Sequence, residues 1–157
     1  MLRAVSTRNI VNELEVPLDP LRTFDLLITP SAIRSWWEAS RAIVLPQPGG
    51  TWAAAWGEDE DRPEYVTVAT IEVFEPPSRL VLGDYRYAAR SGPLPFEMDV
   101  RVQFDVLPSP KGALLRVTQS GFPADAAADE YYAGCVAGWS DTLGSLRQHA
   151  RRSAGSR

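Results

Sequence analysis

Residues 120–151, SGFPADAAADEYYAGCVAGWSDTLGSLRQHAR, hold the reading on which the fold turns. At 100° per residue, Ala128, Tyr132, Val136, Trp139, Leu143, Leu146 and Ala150 fall within one arc about 80° wide, the signature of an amphipathic helix. Asp125 reads as its N-cap. Asp129 and Glu130 lie early in it, and Arg147 and Arg151 late, as the helix dipole prefers. From Asp125 to Arg151 such a helix would be roughly 38 Å long, enough to cross a small domain. Gly134 and Gly138 stand four apart on a seam beside the arc. Each costs about 1 kcal/mol relative to Ala in a helix interior, so that seam has a use for missing side chains. A helix with one broad apolar face needs a sheet to lie against.

The sheet is written upstream. Residues 9–16 alternate, with Ile10, Asn12, Leu14 and Val16 on one face, and predict a first strand. Asp19 caps a short helix with Pro20 at its first position, and Thr29-Pro30 opens a second that ends at Trp36-Trp37. Beyond the turn Pro48-Gly49-Gly50 come four segments of strand character, 51–56, 65–74, 79–87 and 96–106. The last alternates most regularly, setting Phe96, Met98, Val100, Val102, Phe104 and Val106 against Glu97, Asp99, Arg101, Gln103 and Asp105. A final strand covers 113–120, and the tail from Ser153 is expected to fray. The whole is an α+β domain over residues 1–157, with its core at about 9–151. It consists of a curved, six-stranded antiparallel sheet closed by one long C-terminal helix, with two short helices after the first strand.

Composition excludes several functions. The chain has 157 residues, 45% apolar and 23% charged, with a net charge of −4, which suits a soluble globular domain and not a nucleic-acid binder. One cysteine, Cys135, and one histidine, His149, leave no internal disulfide and no multi-histidine metal centre. No cofactor is expected. No apolar run approaches the length of a membrane span and no signal peptide is evident, so a cytoplasmic location is expected.

The order of elements resembles the helix-grip fold of the START/Bet v 1-like (SRPBCC) superfamily, and most of all the branch similar to the C-terminal domain of the Hsp90 ATPase activator. The likeness is carried by Ile33 with Trp36-Trp37, by 48–52 (PGGTW), by 72–82 (EVFEPPSRLVL), by Ser120-Gly121-Phe122, and by Gly138-Trp139 with Leu143 and Leu146. It implies a carrier of hydrophobic ligands, a polyketide cyclase-like enzyme or a co-chaperone module. One departure stands out, because the strand ending Leu80-Val81-Leu82 continues as Gly83-Asp84-Tyr85-Arg86-Tyr87. If Leu80 and Leu82 face inward, Asp84 and Arg86 do too and could anchor a polar group. A slip of one residue would instead turn Tyr85 inward and leave both charges at the surface.

A strongly curved sheet around one helix leaves room for a ligand. Its expected lining is Trp36, Trp52, Trp56, Asp84, Arg86, Phe96, Met98, Tyr132, Cys135 and Trp139, with Trp37 a further candidate. Tryptophans equally serve as core, and for Trp139, central in the apolar arc, packing is the simpler role. Cys135 has no base within reach, since His149 lies about 21 Å further along the same helix, so an inert thiol is expected. The carboxylates of 97–105 lie on a wet face and carry no acid–base chemistry. Residues 58–61 (EDED) read as a solvated hairpin tip. The expected function is non-catalytic binding of a small, largely hydrophobic molecule. The alternatives are a cyclase or dehydratase using Asp84, Arg86 and tyrosines such as Tyr85 or Tyr132, and an interaction module. No nucleic acid or membrane insertion is expected, and a homodimer is.

Overall fold

The computed structural model describes residues 6–155. Strand Thr7–Val16 (β1) leads into helices Pro20–Ile28 (α1) and Pro30–Trp36 (α2). Strands Arg41–Val44 (β2), Thr51–Trp56 (β3), Tyr65–Glu75 (β4), Arg79–Ala89 (β5), Arg101–Ser109 (β6) and Gly112–Pro123 (β7) follow. A single 3-10 turn, Ala126–Ala128, precedes helix Asp129–Gly155 (α3). The strands form one antiparallel sheet in the order β1-β7-β6-β5-β4-β3-β2, so the chain's first strand closes the sheet beside its last. This is the α+β helix-grip architecture, with seven strands in place of the expected six.

Local chemistry explains the short helices. The Asp19 carboxylate accepts a 2.8 Å hydrogen bond from the Arg22 backbone N–H, and Pro20 takes the first helical position, where no N–H is needed. Phe24 and Leu27 of α1 and Ile33 and Trp36 of α2 are fully buried. They meet Leu80, Leu82, Phe104 and Leu115 of the sheet, and Leu146 of α3, in a single apolar cluster. The outer face of the sheet is wet and ion-paired, with Arg101 on Glu72 at 2.7 Å and Arg79 on Asp105 at 2.8 Å, as the alternation of 101–106 requires.

Four expectations need correction. The extra strand β2 was invisible because four residues with Ile43 68% exposed at a sheet edge carry no periodic signal. Residues 96–100 are not strand. β5 pairs with β6 only from Arg79 to Leu82 and then leaves it for β4 alone, so the segment before Arg101 has no partner to hydrogen-bond. The long helix begins at Asp129 after the 3-10 turn and runs on to Gly155, so residues 153–155 do not fray, while 156–157 lie outside the described residues. Val136 is 42% exposed, because the N-terminal half of α3 stands away from the sheet.

The departure of β5 has a definite cause. Between the pairs Thr70↔Gly83 and Val68↔Arg86, β4 contributes one residue and β5 two. The extra residue is a β-bulge, and Asp84 there takes a φ of 45°. Up to Leu82 the inward positions are even-numbered. After the bulge they are odd-numbered.

Candidate functional site

Where α3 stands off the sheet, a cavity of about 1050 Å³ remains between them. Its floor comes from the inward positions of three adjacent strands: Trp56 of β3, Tyr65 and Thr67 of β4, and Tyr85 and Tyr87 of β5. Trp37, just past α2, closes one end, and Leu94 to Phe96 close the other. The roof is one face of α3, made by Tyr131, Gly134, Cys135, Gly138, Trp139 and Thr142, residues spaced at three and four. A methyl group built on Gly134 or Gly138 would meet nothing within 4 Å, so the glycine seam opens onto the hollow and is not a close helix contact.

Six aromatic rings, joined end to end by five ring contacts, form a belt along this space. Trp139 lies 5.1 Å from Trp37, Trp37 5.7 Å from Trp56, and Trp56 stacks on Tyr65 at 5.1 Å. Tyr65 then reaches Tyr87 at 5.9 Å, and Tyr87 reaches Tyr131 at 5.7 Å, back on the same helix two turns before Trp139. Offset and edge-on contacts of this kind add to the burial of each ring. The polar tips are fixed as well. Trp56 Nε1 donates to the Trp37 carbonyl at 2.9 Å, and Trp139 Nε1 donates to buried Gln119 Oε1 at 2.6 Å. Each belt tryptophan is therefore held by a ring contact, and two of the three also by a hydrogen bond.

Burial holds the titratable groups of the wall in their neutral forms. The Tyr85 hydroxyl, beside Thr67, is pushed up to about 12, and Tyr131 is raised further, again chiefly by burial. Tyr65 and Tyr87 shift upward for the same reason. The Cys135 thiol is also raised by burial, although its hydrogen bond with Tyr131 pulls the other way. His149 bonds through Nδ1 to Ser35 Oγ at 2.9 Å and is not among the residues lining the cavity. A thiol held neutral, with no base beside it, is no nucleophile. Tyrosines held neutral can donate hydrogen bonds but do not serve as bases near neutral pH. Among the described residues no three potential metal ligands come together.

Of the expected lining, Trp56, Phe96, Cys135 and Trp139 do face the cavity. Trp36 and Trp52 are 1% exposed and sit in the core beneath α1, donating to the carbonyls of Leu26 and Leu27 at 2.7 and 3.1 Å. Met98 packs on the edge of the core and does not line the space. Asp84 and Arg86 point outward with side chains 64% and 77% exposed, 3.6 Å apart, because the bulge inverts the alternation that would have turned them in. Tyr132 faces β1. Its hydroxyl donates to the Asn9 carbonyl at 3.0 Å, and the Arg8 guanidinium lies 4.5 Å over its ring while pairing with Asp129 at 2.8 Å. It straps the helix to the sheet.

Tyr65, Thr67, Tyr87, Gln119 and Tyr131 were missed as lining, and Trp37 was only a further candidate. In β4 the period-2 pattern from inward Ile71 and Ala69 back to Thr67 and Tyr65 was signal enough. For Tyr85 and Tyr87 no signal short of the bulge itself decided the face.

No curated protein matches the sequence. Solved structures do. Protein MLL2253 of Mesorhizobium loti is similar with a TM-score of 0.74 at 25% identity, over 92% of this chain and 98% of its own. Staphylococcus aureus SA2116, described as of unknown function, has the same fold, with a TM-score of 0.75 at 9% identity over 97% and 98%. So does DynU16, a protein of the dynemicin biosynthetic locus, with a TM-score of 0.71 at 15% identity over 91% of this chain and 47% of its own. No helix among the described residues is long and apolar enough to cross a membrane. The model of the family described as "Activator of Hsp90 ATPase homolog 1-like protein" matches residues 17–151, nearly the whole of the helix-grip architecture, and the chain belongs to that family.

Proposed function

We propose that this protein binds a small, largely hydrophobic molecule in the cavity between the sheet and α3, without transforming it. One observation carries the reading: a belt of six rings lines about 1050 Å³ on a helix face from which glycine has removed the side chains. Ligand sites are concave, mostly aromatic and apolar, with a few polar groups to orient the occupant, and here Gln119, Thr67 and the tyrosine hydroxyls are those groups. The raised pKa values of Tyr85 and Cys135 speak for orientation and against base or nucleophile chemistry. A cytoplasmic location is part of the same proposal.

Tryptophan fluorescence is the direct test, since Trp37, Trp56 and Trp139 line the space. In a panel of fatty acids, flavonoids, polyketide-like aromatics and aromatic amines, at least one class should quench the wild type saturably. Gly138→Leu, which has room for its side chain only inside the hollow, should abolish the response and keep the far-ultraviolet dichroism. A wild type that responds to no class in the panel ends the carrier reading in favour of an interaction module. A homodimer belongs to the proposal too, with Ile43 and Leu45, 68% and 51% exposed at and beside edge strand β2, as its natural contact. A monomeric mass by light scattering at high micromolar concentration would remove it.

A further inference from the structure

The cavity's charge is one-sided. Five of its lining residues are carboxylates, Glu38, Glu58, Glu64, Glu130 and Asp141, and none is arginine, lysine or histidine. All five are solvent-exposed, so they stand at the rim and not in the aromatic interior. None takes part in an ion pair among the described residues, although Arg8, Arg41, Arg79, Arg86, Arg101 and Arg116 each pair with some other carboxylate. Other surface carboxylates, such as Asp25, Glu60 and Glu97, also lack an ion pair among the described residues; what sets this mouth apart is that five acids gather there with no cationic side chain in the lining.

We propose, building on the ligand-binding reading above, that the occupant is a cation: an aromatic or polycyclic molecule bearing an amine or quaternary ammonium group, its rings inside the belt and its charge at the carboxylate rim. Two physical effects converge on that class. Ring faces carry negative quadrupole and attract ammonium groups, tryptophan most strongly, and three of the six belt rings are indoles. Uncompensated carboxylates around a low-dielectric hollow focus a negative potential into it, raising the local concentration of cations and repelling anions. A fatty acid or other carboxylate would have to pass five like charges to reach a site offering it no cationic partner. Glu38, whose φ of 58° ends α2 in the usual left-handed way, holds one of these carboxylates at the mouth.

Three pyrene derivatives of one ring system and different charge test this: 1-pyrenemethylammonium, 1-pyrenemethanol and 1-pyrenecarboxylate, followed by energy transfer from tryptophan. The ammonium compound should bind about tenfold more tightly than the alcohol, and the carboxylate more weakly than either. In Glu38→Gln/Glu64→Gln that advantage should shrink severalfold while the affinity for the alcohol holds. Asp25→Asn, which changes net charge on exposed α1 away from the cavity, should leave the advantage intact. Raising salt from about 50 to about 500 mM should weaken the ammonium compound alone. Equal affinities for all three, or a preference for the carboxylate, overturn the cation while leaving the carrier reading standing. Binding of none of the three overturns both.

Discussion

From Trp139 onward α3 buries a residue at nearly every turn, Trp139, Leu143, Leu146 and Ala150, each no more than 6% exposed. Between Asp129 and Gly138 the same helix buries none, and only Tyr131, Tyr132 and Cys135 are partly covered. Apolar spacing is alike in the two halves, so periodicity does not separate them. What separates them is the opposing surface. The C-terminal half meets the interior of the sheet and α2, where Ile33, Leu80 and Leu115 supply close-packed partners. The N-terminal half lies over inward tyrosines of strands that have turned away, and is tied to β1 by Arg8, Asn9 and Tyr132 instead of by burial. One end of the helix is a core element and the other a roof.

Substitutions at the two ends should therefore differ in size and even in sign. Trp139→Ala should cost about 3–5 kcal/mol and Leu146→Ala about 2–5 kcal/mol in urea unfolding, since each leaves a void against packed neighbours. A loss well under 1 kcal/mol for Leu146 would mean that the C-terminal half does not pack as described. High pH probes the floor under that roof next. Tyr85 has a folded pKa of about 12, above its ordinary value of 10.0, so the unfolded chain releases that proton first. Stability from this group is complete below pH 10 and falls between pH 10 and about 12. Tyrosinate absorbance should lag behind that of the urea-unfolded protein across this window. A coincident titration would place Tyr85 in water.

Smaller effects sharpen the contrast. Tyr132→Phe removes the strap's hydrogen bond to Asn9 and should cost about 0.5–1.5 kcal/mol, with faster amide exchange confined to the first turns of α3. Uniform acceleration along the whole helix would show that the halves act as one unit. Gly138→Ala should stabilise by up to about 1 kcal/mol, because its methyl enters open space. The same change at Gly121 should destabilise. There φ is 91° and a Cβ would lie 2.0 Å from the Asp99 carbonyl oxygen, where residue 99 crosses β7.

Much of this was legible before any coordinates. Asp19-Pro20 announced α1, strand 51–56 was read to the residue, and the arc of 139–150 predicted its own burial. The glycine seam pointed to the right side of α3. Four features were not legible, each for its own reason. A four-residue edge strand buries too little to leave a pattern. The loop 93–100 keeps a strand-like alternation of exposure although no neighbour pairs with it. Trp36 and Trp37 are adjacent and chemically identical, and only the helix's end at Trp36 sends one into the core and the other into the belt. The charges at 84 and 86 turned on a single bulge, which sequence spacing leaves undetermined.

That bulge bears on how such a protein can change over generations. Losing Asp84 would restore plain alternation, with Leu80, Leu82 and the two following tyrosines still on one face, so the wall would survive while the outer surface and the path of β5 changed. A codon gained or lost at this point is thus an edit to the strand's course and not to the composition of the wall. Comparison of this strand among relatives has to be made in two frames, before and after residue 84. A residue-by-residue alignment carried straight through it will pair a lining tyrosine of one chain with a surface arginine of another.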